Sequence, residues 1–294
     1  MIKIQASQVY REFQVKNHAG AKEKLVVLDD FNLQVREGEF LSVLGPSGCG
    51  KSTFLNILAG LDQHDGGQIL VDGDPIKDRS FDRGLVFQGY ALLPWRTVLE
   101  NLEVGLEIRN VPKKERKEIA QRYLSLVGLS AFANQYPHQL SGGMRQRVSI
   151  ARVLAYQPDL LLMDEPFAAL DAQTRETLQL ELIRIWEADK KTIVFITHSI
   201  DEAILLSDRV AVMTARPGKV KEIIDIALPR PRTEEVRNSP EFAQIRQYAW
   251  NLIKDEVVKA QGLQLQAEQI RETGKAGGSL IRLQQKIKEV VLGG

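Results

Sequence analysis

The most informative segment of the sequence is Gly45-Pro46-Ser47-Gly48-Cys49-Gly50-Lys51-Ser52. It follows a short apolar strand candidate, Phe40–Leu44, and leads into a helical pattern over Lys51–Leu58. Glycines let backbone N–H groups turn inward around a polyphosphate, and the helix that follows adds a positive dipole end of about half a charge. The pattern and its strand–helix context predict a phosphate loop, in which Lys51 bridges the outer phosphates of a nucleotide and the Ser52 hydroxyl ligates Mg²⁺.

Further strand candidates are short and wholly apolar, as expected for parallel strands buried on both faces. Leu160–Met163 and Ile193–Ile196 are of this kind, and they alternate with helical patterns over Lys113–Val127 and from Ser141 to about Ala155. Strands that alternate with helices predict an α/β core. Near the start of the chain, the polar segment Asn17–Lys24 is interpreted as a solvated loop between two β segments.

Two carboxylates, Asp164 and Glu165, end the first of these apolar strands. Ligands of open α/β sheets bind at the carboxyl ends of the strands, so we expect Asp164 to hold Mg²⁺ and Glu165 to deprotonate the attacking water, an effect of about 10²–10⁴ in rate. His198 ends the next apolar strand and is placed to hydrogen-bond the γ-phosphate. Gln88, after the short strand Leu85–Phe87, could reach Mg²⁺ or the attacking water, although an isolated glutamine is more often a surface amide.

A second phosphate-binding geometry lies at Leu140-Ser141-Gly142-Gly143-Met144-Arg145-Gln146-Arg147. It combines a serine hydroxyl, bare backbone N–H groups and a helix dipole. One ATP cannot occupy two such sites far apart in one chain, so a head-to-tail pair is predicted, in which Ser141, Gly142 and Gly143 of each chain cover the Lys51 loop of the other. The segment resembles the LSGGQ-type signature of ABC ATPases, with Met144 in place of the usual glutamine.

The resemblance covers roughly residues 1–228, with the expected motifs in order. It implies ATP and Mg²⁺ as ligands and gives a role to each motif. The motifs are the Walker A loop Gly45–Thr53 (with Thr53 in the nucleotide site), the Q-loop residue Gln88, the Walker B strand Leu160–Glu165, the D-loop Ala169-Leu170-Asp171 and the switch histidine His198. In the family the D-loop communicates across the dimer, so Asp171 is expected to contact ATP in trans. Phe13 is expected to stack on adenine, with Tyr10 as the less favoured choice.

The fold implied by this resemblance is an α/β P-loop NTPase of ABC type. It has a RecA-like parallel-sheet core, an antiparallel β subdomain and a helical subdomain at about residues 89–155, all within 1–228. A helical extension over 229–294 follows, with one helix starting at Ser239 and Pro240 in its first position. A last helix is predicted over Ser279–Leu292, after the glycine patch Gly274–Gly278. The extension is expected to pack on the core or on a partner chain.

A finer resemblance is to the nitrate, sulfonate and taurine importer branch, which also includes bicarbonate importers. It is carried by Ala91–Asn101, Met213–Gly218, Leu228–Arg232 and Ser239–Phe242. The implied function is that of an ATP-hydrolysing motor of a membrane importer for a small anion or sulfonate. The solute itself is not encoded, because the motor of such a transporter does not touch it.

In this family a groove after the Q-loop grips a short cytoplasmic helix of the membrane subunit. The candidates for that contact are Tyr90, Leu92, Leu93 and Trp95, although about half of them would fit equally well as core of the helical subdomain. The implied partners are a second ABC ATPase chain, identical or related, integral-membrane permease subunits and a solute-binding protein.

The composition and charge of the chain exclude some other classes of protein. The net charge of +1 is too balanced for a nucleic-acid binder, and no apolar run approaches the ~18 residues that span a bilayer. We therefore expect a peripheral protein on the cytoplasmic face of the membrane. The single cysteine, Cys49, excludes an internal disulfide and is interpreted as a small residue that fits the loop.

Three other functions are compatible with a phosphate loop. An ABC ATPase of DNA repair or ribosomes usually shows a coiled-coil insertion, tandem cassettes or a basic surface, and none is evident here. A small-molecule kinase would leave Ser141–Gly143 and His198 unexplained. An export motor stays open, although Leu92–Asn101 argues against it.

Overall fold

The larger sheet of the protein has six strands and carries the phosphate loop at one edge. A computed structural model describes residues 1–16, 21–263 and 265. The strand order is β10-β9-β3-β8-β7-β6, parallel throughout except for β10 against β9. Every residue of β3, β8 and β9 is buried, which confirms the predicted two-sided burial. The strands are β3 (Phe40–Leu44), β6 (Arg83–Val86), β7 (Leu160–Asp164), β8 (Thr192–Thr197), β9 (Arg209–Met213) and β10 (Val220–Asp225).

The second sheet is antiparallel, with the strand order β2-β1-β4-β5. Its strands are β1 (Ile2–Lys16), β2 (Lys22–Arg36), β4 (Gly66–Val71) and β5 (Asp74–Pro75). The loop predicted over Asn17–Lys24 is wrong for its last three residues, because β2 begins at Lys22, opposite Lys16. Backbone pairing continues past the apolar side chains, since at an exposed hairpin end the ladder needs only N–H and C=O groups. The other part of that loop, 17–20, lies outside the described residues.

Three helices form a separate layer next to the sheet. They are α2 (Val98–Ile108), α3 (Lys113–Leu126) and α4 (Gly142–Ala155), and they follow α1 (Lys51–Leu58) in the chain. Their shared core includes Val98, Leu102, Leu124 and Val148. The helices predicted from Lys113 and Ser141 are confirmed, and they lie within the stretch predicted as a helical subdomain. The exact domain boundaries stay predictions.

The rest of the described chain adds the helices α5 (Ala172–Asp189), α6 (Ile200–Leu206), α7 (Glu234–Arg237) and α8, which covers 240–263. Ser239 caps α8, because its Oγ accepts a 3.2 Å hydrogen bond from the Phe242 amide. The predicted start at Ser239 is therefore confirmed. The helix packs on the core through a cluster that joins Phe242 and Ile253 to Ile204 and Ile224. The predicted helix Ser279–Leu292 and the patch Gly274–Gly278 lie outside the described residues.

Arg232 anchors the segment that leads into α8. It is 3% exposed, and its Nη1 donates to the carbonyls of Ile204 and Ser207 at 2.6 Å each. These are carbonyls at the end of α6, which a helix leaves without intrahelical partners. Burial lowers the pKa of Arg232 to about 10, so the side chain stays charged at neutral pH. The cation therefore holds the extension against the core.

Glu256 anchors α8 itself and is 3% exposed. Its carboxylate accepts hydrogen bonds from the Ala215 amide at 3.0 Å, from Lys221 Nζ at 2.9 Å and from Lys259 Nζ at 3.1 Å. Burial alone would raise the pKa of Glu256, but these donors outweigh it and lower the pKa to about 2. Glu256 therefore ties α8 to the loop that follows β9. In the described part of the chain, no helix combines the length and hydropathy needed to cross a bilayer.

Candidate functional site

The phosphate loop runs from the end of β3 into α1, as predicted. Gly50 has a φ of +110°, and a Cβ at this position would lie 2.8 Å from Leu28 Cδ2, so only glycine fits both the conformation and the space. Lys51 is 5% exposed, and its Nζ donates to the carbonyls of Gly45 at 2.8 Å and Pro46 at 3.1 Å. The ammonium group is thus held at the mouth of the loop. Of the other predicted contacts, Ser47, Gly48 and Ser52 are exposed and Thr53 is half-buried.

Cys49 lies beneath the loop rather than in its mouth. The residue is 1% exposed, and burial raises the pKa of its thiol. Gly218, in the loop after β9, backs it so closely that a Cβ on Gly218 would lie 2.1 Å from the Cys49 carbonyl oxygen. These contacts support the interpretation of Cys49 as a small residue that fits the loop.

Ser52 and Asp164 meet where α1 faces the end of β7. The Ser52 hydroxyl donates to Asp164 Oδ1 over 3.0 Å. Burial raises the pKa of Asp164, and the hydrogen bond from Ser52 opposes that rise. A hydroxyl and a half-buried carboxylate are hard oxygen donors of the kind Mg²⁺ prefers, so these residues fit the predicted metal. Gln88 is exposed just beyond β6, whose Val86 pairs with Met163, so it lies at the same sheet edge as Asp164.

Glu165 brings three predicted residues together. Its Oε2 is 3.0 Å from His198 Nδ1 and its Oε1 is 3.7 Å from Lys51 Nζ. The Glu165 amide donates to the Ile196 carbonyl at 3.1 Å, and its φ is +42°, a left-handed conformation that costs energy in a residue other than glycine. The carboxylate is therefore aimed between an ammonium and an imidazole. A water molecule held there would face a base and two groups that bind anions.

Ser141 and Asp171 each cap a helix, and the two caps are neighbours. Ser141 Oγ accepts from the Met144 amide at 3.3 Å, and Asp171 accepts from the Thr174 amide at 3.0 Å. A Cβ on Gly143 would lie 2.3 Å from Thr174 Cγ2, so the glycine permits the close contact between α4 and α5. Ser141 and Asp171 are exposed, and Gly142 is half-buried. Their contact with a nucleotide of another chain stays a prediction.

Phe13 lies half-buried on β1, opposite Leu25. The Arg11 guanidinium stands over its ring, 4.3 Å from the centroid, and Arg11 is itself paired with Asp62 at 2.7 Å. Tyr10 is engaged differently, because its hydroxyl donates to Glu12 at 2.8 Å. The predicted stacking of Phe13 on adenine remains a prediction, in which adenine would have to share or displace the Arg11 contact.

The segment after Gln88 is held by two side chains that sequence reasoning missed. Asn101 is fully buried and exchanges hydrogen bonds with the Leu93 backbone at 2.8 and 3.1 Å. Arg152 donates to the Ala91 carbonyl at 2.6 Å and to the Tyr90 carbonyl at 3.2 Å. An asparagine or arginine in a helix gives no signal from sequence that it binds a neighbouring loop.

Beside this segment lies a mostly apolar groove of about 380 Å³. Leu93 lines it, together with Phe81, Leu85, Ile108 and Tyr156. The other candidates for the permease contact differ: Trp95 is 71% exposed, Leu92 packs in the core of the three helices, and Tyr90 lies against Arg145. Of the predicted set, Trp95 is therefore the exposed member and Leu93 is the member that lines the groove.

Comparison with known proteins gives one consistent result. A family model described as "ABC transporter" matches residues 28–168. An uncharacterised ABC transporter ATP-binding protein of Methanocaldococcus jannaschii is 57% identical over 81% of this chain and 88% of its own. The aliphatic sulfonates import ATP-binding protein of Bacillus cereus is 47% identical over 75% of this chain and 85% of its own. A nitrate import ATP-binding protein of Synechococcus elongatus is 44% identical over 78% and 85%.

Among solved structures, the chain is similar to a dimeric ATP-binding cassette in a post-hydrolysis state bound to ADP and Pi. The TM-score is 0.67 and the identity 35%, over 76% of this chain and 98% of the other. The fold predicted from the sequence is confirmed by this match and by the two sheets and helical layer described above. The chain is therefore an ABC ATPase and belongs to the ATP-binding proteins of ABC transporters.

Proposed function

We propose that the chain is the motor subunit of a membrane importer for a small anion or sulfonate, working as one half of an ATP-sandwiched dimer. The observation that carries the catalytic part is the convergence of Lys51, at the start of α1, with Glu165 and His198, which follow the ends of β7 and β8. Two solved ATP-binding cassettes that are 35% and 36% identical to this chain are dimers, and the first of them is bound to ADP and Pi. Both support the pairing.

In this proposal Lys51 exchanges its two carbonyl partners for phosphate oxygens of ATP. Glu165 then accepts a proton from the attacking water on Oε2, the carboxylate oxygen that faces His198. His198 binds the γ-phosphate. The positive φ of Glu165 supports this role, because a strained backbone that aims one side chain is typical of functional sites. Glu165 and His198 are both present, so the chain has the groups needed for turnover.

Ser52 and Asp164 would hold Mg²⁺, with Gln88 as the third candidate ligand. When bound, the ion would neutralise phosphate charge that develops in the reaction. The raised pKa of Asp164 supports the assignment, because partial burial disfavours the charged form of this half-buried carboxylate and a bound cation would favour it.

The second half of each site would come from the partner chain, through Ser141, Gly142, Gly143 and Asp171. Exposure of both caps supports this, since their side chains face outward from the chain. The permease would dock through the groove lined by Leu93, with Trp95 beside it. We also place the chain on the cytoplasmic face of the membrane, because in this proposal it meets both ATP and the docking segment of the permease on that side.

The class of solute rests on resemblance and identity alone. The segment Ala91–Asn101 resembles nitrate, sulfonate, taurine and bicarbonate importers, and relatives named as sulfonate and nitrate import proteins are 47% and 44% identical. A solute-binding protein is accordingly proposed as a further partner.

The test is to purify the tagged full chain from mild-detergent extracts of its own cells and to identify its companions. We expect a multi-spanning membrane protein, with a solute-binding protein or second ATPase in the same sample. Trp95→Ala together with Leu93→Ala should lower recovery of the membrane protein, whereas Trp250→Ala, a matched exposed tryptophan on α8, should not. Recovery with ribosomes or DNA-repair factors instead would overturn the transport proposal.

A further inference from the structure

We infer that Glu202 is a positioning residue, which holds the His198 turn in place through Thr197 and ties that turn to the amino-terminal end of α5. The inference rests on the proposed role of His198 at the γ-phosphate. Glu202 lies in the first turn of α6, four residues after His198, and acts through the histidine rather than on the nucleotide.

Glu202 is a buried carboxylate with polar groups on both oxygens. It is 9% exposed; its Oε2 accepts a 2.6 Å hydrogen bond from Thr197 Oγ1, and its Oε1 accepts a 3.2 Å hydrogen bond from Gln179 Nε2. Glutamate is seldom buried unless it is paired, and hydrogen bonds to an ionised acceptor are about twice as strong as neutral ones. The carboxylate therefore fixes the relative positions of the donors around it.

The same carboxylate closes the turn that contains His198. Thr197 Oγ1 donates to Glu202 and at the same time accepts from the Ser199 amide at 2.9 Å. Ser199 Oγ accepts from the Glu202 amide at 3.3 Å. His198 is thus restrained on both sides of its backbone, while its side chain is 58% exposed and reaches Glu165. A fixed backbone under an exposed ring is the arrangement needed to present the imidazole in one place.

Arg175 and Gln179 extend the restraint to α5. Arg175 Nε forms an ion pair with Glu202 Oε1 at 3.8 Å, and its Nη2 donates to the Leu170 carbonyl at 2.8 Å. Leu170 immediately precedes Asp171, the cap of α5. The His198 turn and the Asp171 turn therefore share one buried anion. In the proposed dimer these turns serve different nucleotides, so Glu202 would keep the two sites in register.

A purely stabilising role for Glu202 makes different predictions from a positioning role. Loss of a stabiliser lowers the melting temperature without acting selectively on turnover. Loss of a positioning residue lowers kcat while KM is kept, and it does so only while His198 is present. Misplacing a reacting group by ~1 Å can cost about 100-fold in rate, so even a small shift should be measurable.

The experiment measures steady-state ATPase activity of the full chain for Glu202→Gln, Thr197→Val and His198→Ala, singly and as the double variants with His198→Ala. Glu202→Gln keeps the shape but removes the charge, and Thr197→Val keeps the shape but removes the hydroxyl. Each should lower kcat roughly tenfold or more with KM within about twofold. In the His198→Ala background each should cost less than about twofold, because the group through which they act is gone.

Thr192→Val is the matched control, since Thr192 lies at the other end of β8 and is 2% exposed like Thr197. Its hydroxyl accepts one hydrogen bond, from the Gly38 amide at 3.0 Å, so the substitution removes a comparable buried contact far from His198. We expect Thr192→Val to lower the melting temperature but to keep kcat. Thr197→Ser, which retains the hydroxyl, should recover most of the turnover that valine loses.

The outcomes separate the two proposals. If His198→Ala turns over ATP at the normal rate, the proposed role of His198 fails. If His198→Ala is impaired but Glu202→Gln and Thr197→Val are not, or if their losses multiply with that of His198→Ala, the inference on Glu202 fails alone. If Glu202→Gln does not fold, Thr197→Val decides the question, because it leaves the carboxylate in place.

Discussion

The two helix amino termini that are predicted to bind phosphate, at Lys51 and at Ser141, are organised in different ways. At α1 the lysine is 5% exposed, bonded to two carbonyls of its own loop and faced by Glu165 from a neighbouring strand. At α4 the serine is exposed, and its hydroxyl accepts from its own helix. The first terminus is built into a site within the chain, whereas the second presents its donors outward.

This difference indicates which of the two termini can form a complete site within one chain. The Lys51 site collects its groups from the start of α1 and from the ends of β7 and β8, so its geometry is set when α1 packs on the sheet. The Ser141 terminus has the same kinds of donor but gains a ligand only if something is brought to it. Changes at the first should therefore impair chemistry in each chain, and changes at the second should impair assembly.

The largest expected effect is that of Glu165→Gln. Removing the base should lower turnover by about 10²–10⁴, while ATP binding persists and an ATP-bound dimer accumulates. Steady-state ATPase assays and size-exclusion chromatography with ATP measure the two effects. Turnover near the wild-type rate would remove Glu165 as the base and would break the contrast between the two termini.

Ser141→Arg tests the second terminus, at the start of α4. A bulky cation at the exposed cap should block dimer closure and lower turnover by roughly 10²-fold, the scale of losing aligned donors to an anion. Binding of ATP to the isolated chain, followed by fluorescence of a nucleotide analogue, should stay within about twofold. Ser125→Arg, also exposed but at the end of α3, is the control. Loss of binding in the monomer would contradict a site shared between two chains.

Glu256→Gln tests whether this carboxylate anchors α8 to the core. The lost charge weakens hydrogen bonds from three donors, so we expect the melting temperature to fall by about 3–6 °C at pH 7. Since the folded-state pKa is lowered to about 2, this stabilisation is complete above pH 4.5 and is lost as the pH falls toward 2. Thermal denaturation at pH 7 and pH 3.5 measures it, with Asp255→Asn, an exposed acid on the same helix, as control. An equal loss in both variants would contradict the anchoring role.

Asp164→Asn should have the smallest effect on the fold and the opposite sign. Burial raises the pKa of Asp164 above its ordinary 3.8, so the carboxylate destabilises the nucleotide-free chain once the pH exceeds that raised pKa. We expect the variant to melt about 2 °C higher at pH 7 and to converge with the wild type below pH 3.8, although its Mg²⁺-dependent ATPase activity is lost. Calorimetry without nucleotide checks the first part, and a lower melting temperature at pH 7 would argue against a strained carboxylate.

Local patterns predicted the strand ends well, because an apolar run followed by polar residues marks both the strand and the edge where it stops. Asp164, Glu165 and His198 were found in this way, and the helix caps Ser141 and Ser239 followed from capping chemistry. The early loop was misjudged at Lys22–Lys24, since polar side chains conceal a backbone that still pairs.

Glu202, Arg232 and Glu256 could not be found by the same means. Each lies in a helix or linker where a charged residue normally faces solvent, and each is buried against at least one partner that is five or more residues away in the chain: Thr197 for Glu202, Ile204 for Arg232 and Ala215 for Glu256. Ser199 and Glu202 have the spacing of a capping box, which could have drawn attention to the glutamate. Its actual partner, Thr197, lies on the other side of the histidine, and only the folded turn reveals that.

The burial of Cys49 has a practical consequence for following this motor in solution. It is the one cysteine of the chain, and its shielded thiol has a raised pKa, so maleimide reagents at neutral pH should leave the native protein unmodified. A fluorophore can therefore be attached to a cysteine introduced at position 125 without first removing the natural one. Slow modification of Cys49 itself would measure how often the phosphate loop opens. Suppression of that modification by ATP would report occupancy of the nucleotide site.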